Sequence, residues 1–82
     1  MHVTITFYGR LKADAGTRQA RLELPGPTAT IQDVVNAVTA RYPAVATVLD
    51  TVAFTIGAVL VEPDAPVQDG DEVGFLPPVS GG

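Results

Sequence analysis

From residue 3 to residue 8 apolar and hydroxyl-bearing side chains alternate, with Val3, Ile5 and Phe7 on one face and Thr4, Thr6 and Tyr8 on the other. A period of two in β-branched and aromatic residues predicts a strand with one buried face. The alternation returns over 18–24, where Ala20, Leu22 and Leu24 point one way and Gln19, Arg21 and Glu23 the other, so a second strand should pair with the first. Between the two, Gly9 and Gly16 bracket a connection with room for a helical turn. Pro25-Gly26-Pro27 then breaks the strand. Beyond it the period lengthens: Ile31, Val34, Val35, Val38 and Tyr42 fall at the spacing of one helical stripe, predicting a helix that runs to about Arg41. Thr30 stands where an N-cap belongs and Asp33 lies in the first turn, near the positive end of the helix dipole. Pro43 disfavours helical geometry at Tyr42 and marks the end. β-branched residues are mediocre helix formers, so this helix needs a sheet to pack against.

The remainder is shorter in rhythm. Residues 44–50 suit one or two further helical turns, 54–56 and 59–61 read as short strands around Gly57-Ala58, and 72–76 is a last strand with Val73 and Phe75 facing one way. Pro63-Asp64-Ala65-Pro66 and Asp69-Gly70 are turn sequences. Strand, strand, helix, short strands, strand is an α+β order, a single mixed sheet with one main helix packed on one face. If the last strand lies parallel beside the first through a right-handed crossover, the architecture is a β-grasp; another small α+β topology is its rival. No repeat or linker interrupts the chain, which predicts one domain over 1–82 with 79–82 as a flexible C-terminal tail.

Composition narrows the chemistry. Hydrophobic residues make up 46% of the 82 and charged ones 17%, far from a disordered composition. Nine acidic against five basic side chains, a net charge of -4, argue against a nucleic-acid partner, which needs clustered Lys and Arg, and favour a basic protein partner. There is no cysteine and one histidine, His2, which removes disulfides, thiolate sites and multi-histidine metal sites. No leader and no window of spanning length is visible, so no membrane association and a cytoplasmic location are expected. Asp69, Asp71 and Glu72 lack the spacing of a calcium loop and read as a solvated turn. Gly9 and Gly16 make no phosphate loop. Ser80 has no base near it in sequence and reads as a small spacer. No bound cofactor, no metal and no internal catalytic set are expected.

What remains is the ending Phe75-Leu76-Pro77-Pro78-Val79-Ser80-Gly81-Gly82. Neither proline can donate a ladder hydrogen bond, so the strand must stop there. Four extended residues, 79–82, span about 13 Å, enough to carry a terminal carboxylate into another protein's cleft. Gly81 and Gly82 lack Cβ atoms and can pass a narrow channel.

This ending, preceded by Asp69-Gly70-Asp71-Glu72-Val73, resembles the C-terminal signature of the MoaD/ThiS sulfur carriers, and among them the small subunits of molybdopterin synthase. Phe7-Tyr8-Gly9-Arg10-Leu11 and Ala40-Arg41-Tyr42-Pro43 are similar as well, so the resemblance covers essentially the whole chain. It implies a ubiquitin-like β-grasp fold. It also implies a mechanism in which an E1-like adenylyltransferase uses ATP to adenylate the Gly82 carboxylate, and sulfur then replaces AMP to give a C-terminal thiocarboxylate. In the family two such carriers, in a heterotetramer of two small and two large subunits, deliver the two sulfurs that turn cyclic pyranopterin monophosphate into the molybdopterin dithiolene. The small subunit donates sulfur but supplies no catalytic residue beyond its own terminus. Carried over by position, Gly82 bears the sulfur, and Gly81, Ser80, Val79, Pro78, Pro77, Leu76, Leu60 and Phe7 face the activating enzyme or the large subunit. The strand pattern also points Phe7 into the core, so both placements stay open. At Ile56-Gly57-Ala58-Val59 the chain departs from the family, where Asn followed by a polar residue is common. The same thiocarboxylate could serve thiamine, cysteine or tungsten-cofactor synthesis, or Gly82 could be joined to protein lysines as in a ubiquitin-like modifier.

Overall fold

The computed structural model describes residues 1–78, and within them the period-two stretches are strands. β1 spans His2–Phe7 and β2 Gln19–Glu23. They pair antiparallel with Val3 opposite Leu22 and Ile5 opposite Ala20, so that their apolar residues share one face. The connection holds α1, Leu11–Ala15, closed by Gly16 at a φ of 76°, a left-handed C-cap that glycine adopts without strain.

The lengthened period is α2, Ile31–Arg41. Thr30 and Asp33 form a reciprocal capping box: the Asp33 N–H donates to Thr30 Oγ1 at 3.3 Å and the Thr30 N–H donates back to Asp33 Oδ2 at 2.8 Å. Ile31, Val34, Val35 and Val38 are buried, as their spacing requires. Pro43 opens a further short helix, α3, Pro43–Ala46, followed by a 3-10 turn at Leu49–Thr51.

Two elements escaped the sequence pattern. β3, Ala29–Thr30, pairs antiparallel with β6, Pro66–Val67. Two residues are too few to display a period, and the surrounding Pro-Asp-Ala-Pro reads as turn, yet Val67 is buried and this small ladder ties the entry of α2 to the later chain.

β4, Ala53–Ile56, β5, Val59–Val61, and β7, Glu72–Leu76, complete the main sheet. Its order is β2-β1-β7-β4-β5. β7 runs parallel to β1 and antiparallel to β4, so the sheet is mixed and its central strand is the last in sequence. Val3, Ile5, Phe7, Val73 and Phe75 from the sheet share one hydrophobic cluster with the buried stripe of α2, as the β-grasp expectation requires. Three phenylalanines stand in register across β1, β7 and β4, with Phe75 opposite both Phe7 and Phe54. Their rings meet edge to face at 5.8 and 5.1 Å, and Tyr42, beyond the end of α2, adds a fourth ring 5.5 Å from Phe7. Such pairs contribute about 0.5–1.5 kcal/mol each beyond the area they bury.

The acidic cluster before β7 works on the backbone. Asp69 Oδ1 accepts the His2 N–H at 2.7 Å, the Gly70 N–H donates to the His2 carbonyl at 2.7 Å, and Asp71 Oδ2 accepts the Gln68 N–H at 2.8 Å. The turn is thereby stitched to the start of β1. The His2 hydrogen bond holds the Asp69 carboxyl below its ordinary pKa, helped by the nearby positive groups. A folded-state pKa below the unfolded one means that this stabilisation is present above the unfolded value and disappears as pH falls through the folded one. Urea midpoints recorded from pH 5 down to pH 2 are therefore expected to fall less steeply for Asp69→Asn than for the parent chain; equal slopes would remove Asp69 as a source of the acid sensitivity.

Candidate functional site

The site is assembled where β1 and β7 part. Along their parallel ladder the Thr4 N–H donates to the Asp71 carbonyl at 3.0 Å and the Tyr8 N–H to the Phe75 carbonyl at 3.1 Å. In a parallel ladder the next bond would run from residue 77 back to the Tyr8 carbonyl, but Pro77 has no N–H to give. The Tyr8 carbonyl accepts from the Leu11 N–H instead, at 3.1 Å, and β1 turns away into α1 through Gly9. Gly9 has a φ of 57°, a conformation suited to glycine. Pro77 packs against this bare backbone: a Cβ on Gly9 would lie 2.8 Å from Pro77 Cγ. The strand therefore stops at Leu76 for a covalent reason, and the first residue beyond it is seated.

Beside the exit lies the sheet face opposite the core. Cross-strand partners share a face, so Leu60, Thr55, Gly74 and Thr6 form one row across β5, β4, β7 and β1, with Ala53 opposite Leu76 in the next. Gly74 is the floor of this surface. A Cβ there would collide with Thr55 Oγ1, and would stand 3.1 Å from Tyr8 Cε2 and 3.7 Å from Leu76 Cδ1, so three side chains converge over one missing methyl. Leu60 is 70% and Tyr8 48% exposed, while Leu76 is half-buried. Tyr8 and Leu76 thus meet over Gly74 beside the exit, and Leu60 lies exposed on the same face beyond Thr55. Arg10, Lys12 and Arg18, three of the five basic residues, belong to the segment that leaves the same end of β1. Lys12, Arg18 and the acidic Glu72 line a shallow concavity of about 370 Å³ with Thr6, Tyr8 and Gln19.

The expected site residues divide accordingly. Leu60 and Leu76 lie on the open face, Pro77 on Gly9, and Pro78 is exposed. Phe7 is different. It is fully buried between Tyr42 and Phe75, so of its two open placements the core is the observed one, and the exposed aromatic at that end of β1 is Tyr8. The reason is the pleat, since residues 7 and 8 must face opposite sides of the sheet. Val79, Ser80, Gly81 and Gly82 lie outside the described residues. Neither Gly9 nor Gly74 was among the expected site residues, although a glycine inside the strand Glu-Val-Gly-Phe-Leu is a legible signal of close approach. Among the described residues no group of three or more His, Asp or Glu could hold a metal ion, and no helix is long and apolar enough to cross a membrane.

A mixed five-stranded sheet grasping one main helix, with the last strand in sequence at its centre, defines the ubiquitin-like β-grasp class. Within it the chain belongs to the ThiS family, which matches residues 5–82. It is 31% identical over 84 residues to the molybdopterin synthase sulfur carrier subunit of Chlamydomonas reinhardtii, covering all of both chains. Among solved structures, small archaeal modifier protein 1 of Haloferax volcanii superposes with a TM-score of 0.87 at 26% identity over the whole of each chain. Subunit 1 and 2 of the molybdopterin-converting factor of Helicobacter pylori, solved as a complex, offer a match with a TM-score of 0.72 at 22% identity, again over the whole of each chain, a likeness of fold. The chain is thus a homologue of the MoaD/ThiS-type sulfur carriers.

Gly74→Ala is expected to cost about 1–3 kcal/mol in urea denaturation, because the methyl must displace Thr55 or Tyr8 from a packed surface. The loss should shrink when Thr55→Ala is added. Additive losses in the double variant would mean that Thr55 is not what crowds position 74.

Proposed function

We propose that this protein is the sulfur-carrying small subunit of a molybdopterin synthase, and that its Gly82 carboxylate is the atom group on which the chemistry occurs. The observation that carries this reading is the full-length similarity to the Chlamydomonas reinhardtii sulfur carrier subunit, joined to a core strand that stops at Leu76, ahead of two prolines and the diglycine ending. An unactivated carboxylate is a poor acyl donor. An E1-like adenylyltransferase would let a Gly82 oxygen attack the α-phosphorus of ATP, releasing pyrophosphate and leaving an acyl adenylate. A sulfur nucleophile then displaces AMP, and the product is a thiocarboxylate. ATP is a cosubstrate of that enzyme and nothing is bound by the carrier itself. In the large subunit the sulfur is handed to cyclic pyranopterin monophosphate and the carboxylate is regenerated; two carriers and two large subunits supply both sulfurs.

The carrier's own contribution is presentation. A stiff Pro77-Pro78 base lowers the ordering cost of inserting residues 79–82 into a partner. Tyr8, Leu60 and Leu76 on one face give that partner apolar surface to close on, of the kind that exposed patches on small monomers often serve. The two-subunit Helicobacter pylori complex is in keeping with a large-subunit partner.

A second reading follows from the likeness to small archaeal modifier protein 1. Activation would be the same, but Gly82 would then be joined to lysines of target proteins. Digestion of the native proteome with a glutamate-specific protease distinguishes the two, since modifier use leaves the stretch that follows Glu72, residues 73–82, on target lysines and carrier use leaves none.

Two outcomes are expected. With its activating enzyme, ATP and a sulfur donor, the chain should gain about 16 Da by intact mass, the difference between sulfur and oxygen, and the chain lacking Gly82 should gain none. A chain without Gly82 that still gains this mass would sink the assignment of the terminus. Separately, Leu60→Asp should change stability by less than about 0.5 kcal/mol, as befits an exposed site. It should weaken binding to the large subunit by roughly tenfold or more, measured calorimetrically. Unchanged affinity would take Leu60 out of the interface.

A further inference from the structure

We infer that Gly9 is a positioning residue: its bare backbone is the seat on which the Pro77 ring rests, and that seat sets the direction in which the chain leaves the domain towards Gly82. The consequence for sulfur loading rests on the carrier reading above; the seat itself rests on geometry.

Four observations converge on it. The β1–β7 ladder ends at Leu76 because Pro77 has no N–H, so no backbone hydrogen bond along that ladder holds residue 77. What holds it is packing, and the packing partner is Gly9: a Cβ built on Gly9 would meet Pro77 Cγ at 2.8 Å, Cδ at 3.6 Å and Cβ at 4.0 Å, pointing into the ring. A proline ring is closed on its own backbone nitrogen and cannot swing aside as a free side chain can. Ring pucker gives Cγ only a little room, so a side chain at position 9 presses on the ring and, through its closure, on the Pro77 backbone. Gly9 itself is anchored from both sides, by the Tyr8 N–H to Phe75 bond before it and by the Lys12 N–H donating to the Gly9 carbonyl at 3.2 Å after it, so the seat is not free to retreat. A redirection of the backbone at 77 changes the point and angle from which a partner receives the chain, and a reacting group misplaced by about 1 Å can cost up to roughly 100-fold in rate.

A matched control is built into the chain. Gly16 also has a left-handed φ, 76° against 57°, but nothing lies within 4 Å of where its Cβ would be. Gly16→Ala reports the backbone strain of alanine at positive φ; Gly9→Ala reports that strain plus the collision with Pro77. Both variants should lower the urea midpoint. Gly9→Ala alone should slow the mass gain at Gly82 by roughly tenfold or more with the activating enzyme below saturation. In a Pro77→Ala background, where the ring is gone, the change at position 9 should add no loss beyond that of Gly16→Ala. The proposal is overturned if Gly9→Ala slows loading no more than Gly16→Ala does, or if its effect is as large without the Pro77 ring as with it. Nuclear Overhauser contacts between the Gly9 α-protons and the Pro77 ring protons read the seat without any partner; they should be strong in the parent chain, and their absence there would also overturn it. A parent chain that gains no mass overturns the carrier reading alone, since the coupling between positions 9 and 77 is measured equally well in urea midpoints, where zero coupling would count against the seat.

Discussion

The register of β7 between β1 and β4 is the constraint on which the rest of this structure depends. Phe75 is paired with Phe7 on one side and Phe54 on the other, and the three rings meet edge to face in the centre of the core. A slip of one residue would turn Val73 and Phe75 to solvent and bring Gly74 and Leu76 inward, exchanging two large buried groups for one and a void. The same register fixes the other face. It places Gly74 beneath Tyr8 and Thr55, sets Leu76 opposite Ala53, and brings Pro77 level with the Gly9 turn. Core packing and the geometry of the exit are thus two readings of one alignment.

Much of this was legible in the chain because the elements are long enough to show a period. The alternation around Val3, Ile5 and Phe7, the stripe of Ile31, Val34, Val35 and Val38, and the Thr30–Asp33 cap all appear in the fold as their spacing predicts. The two-residue ladder between Ala29–Thr30 and Pro66–Val67 was not legible, because pairing that short leaves no pattern and depends on where distant segments are brought together. Phe7 shows a different limit. Its face was readable from alternation, but a partner-facing role inferred from position alone competes with that reading, and burial decides in favour of the core. The importance of Gly9 was hidden for a third reason: what makes it special is a proline 68 positions away, and no local pattern reports such a contact.

The distribution of charge is more local than a whole-chain average can express. A net charge of -4 suggests a basic partner, yet Arg10, Lys12 and Arg18 belong to the segment that leaves β1 beside the exit, while Asp33, Asp69 and Asp71 are engaged with backbone N–H groups elsewhere. Arg10 is itself ion-paired with Asp14 at 3.9 Å and Glu72 lines the concavity with Lys12 and Arg18, so a partner closing over the exit meets both signs of charge. Net charge bears on solubility and long-range attraction, whereas docking is decided by the few groups within a Debye length of the contact, about 8 Å at physiological salt.

The central position of β7 has a mechanical consequence. A partner that grips the end of the chain and draws on it loads β7 along its own axis. Because β7 is bonded to β1 on one edge and β4 on the other, the load falls on two hydrogen-bond ladders in shear at once. Peeling one bond at a time, the easy mode for a strand at the rim of a sheet, is not open to it. The domain can therefore be held, turned and released by its last residues without being unravelled by them.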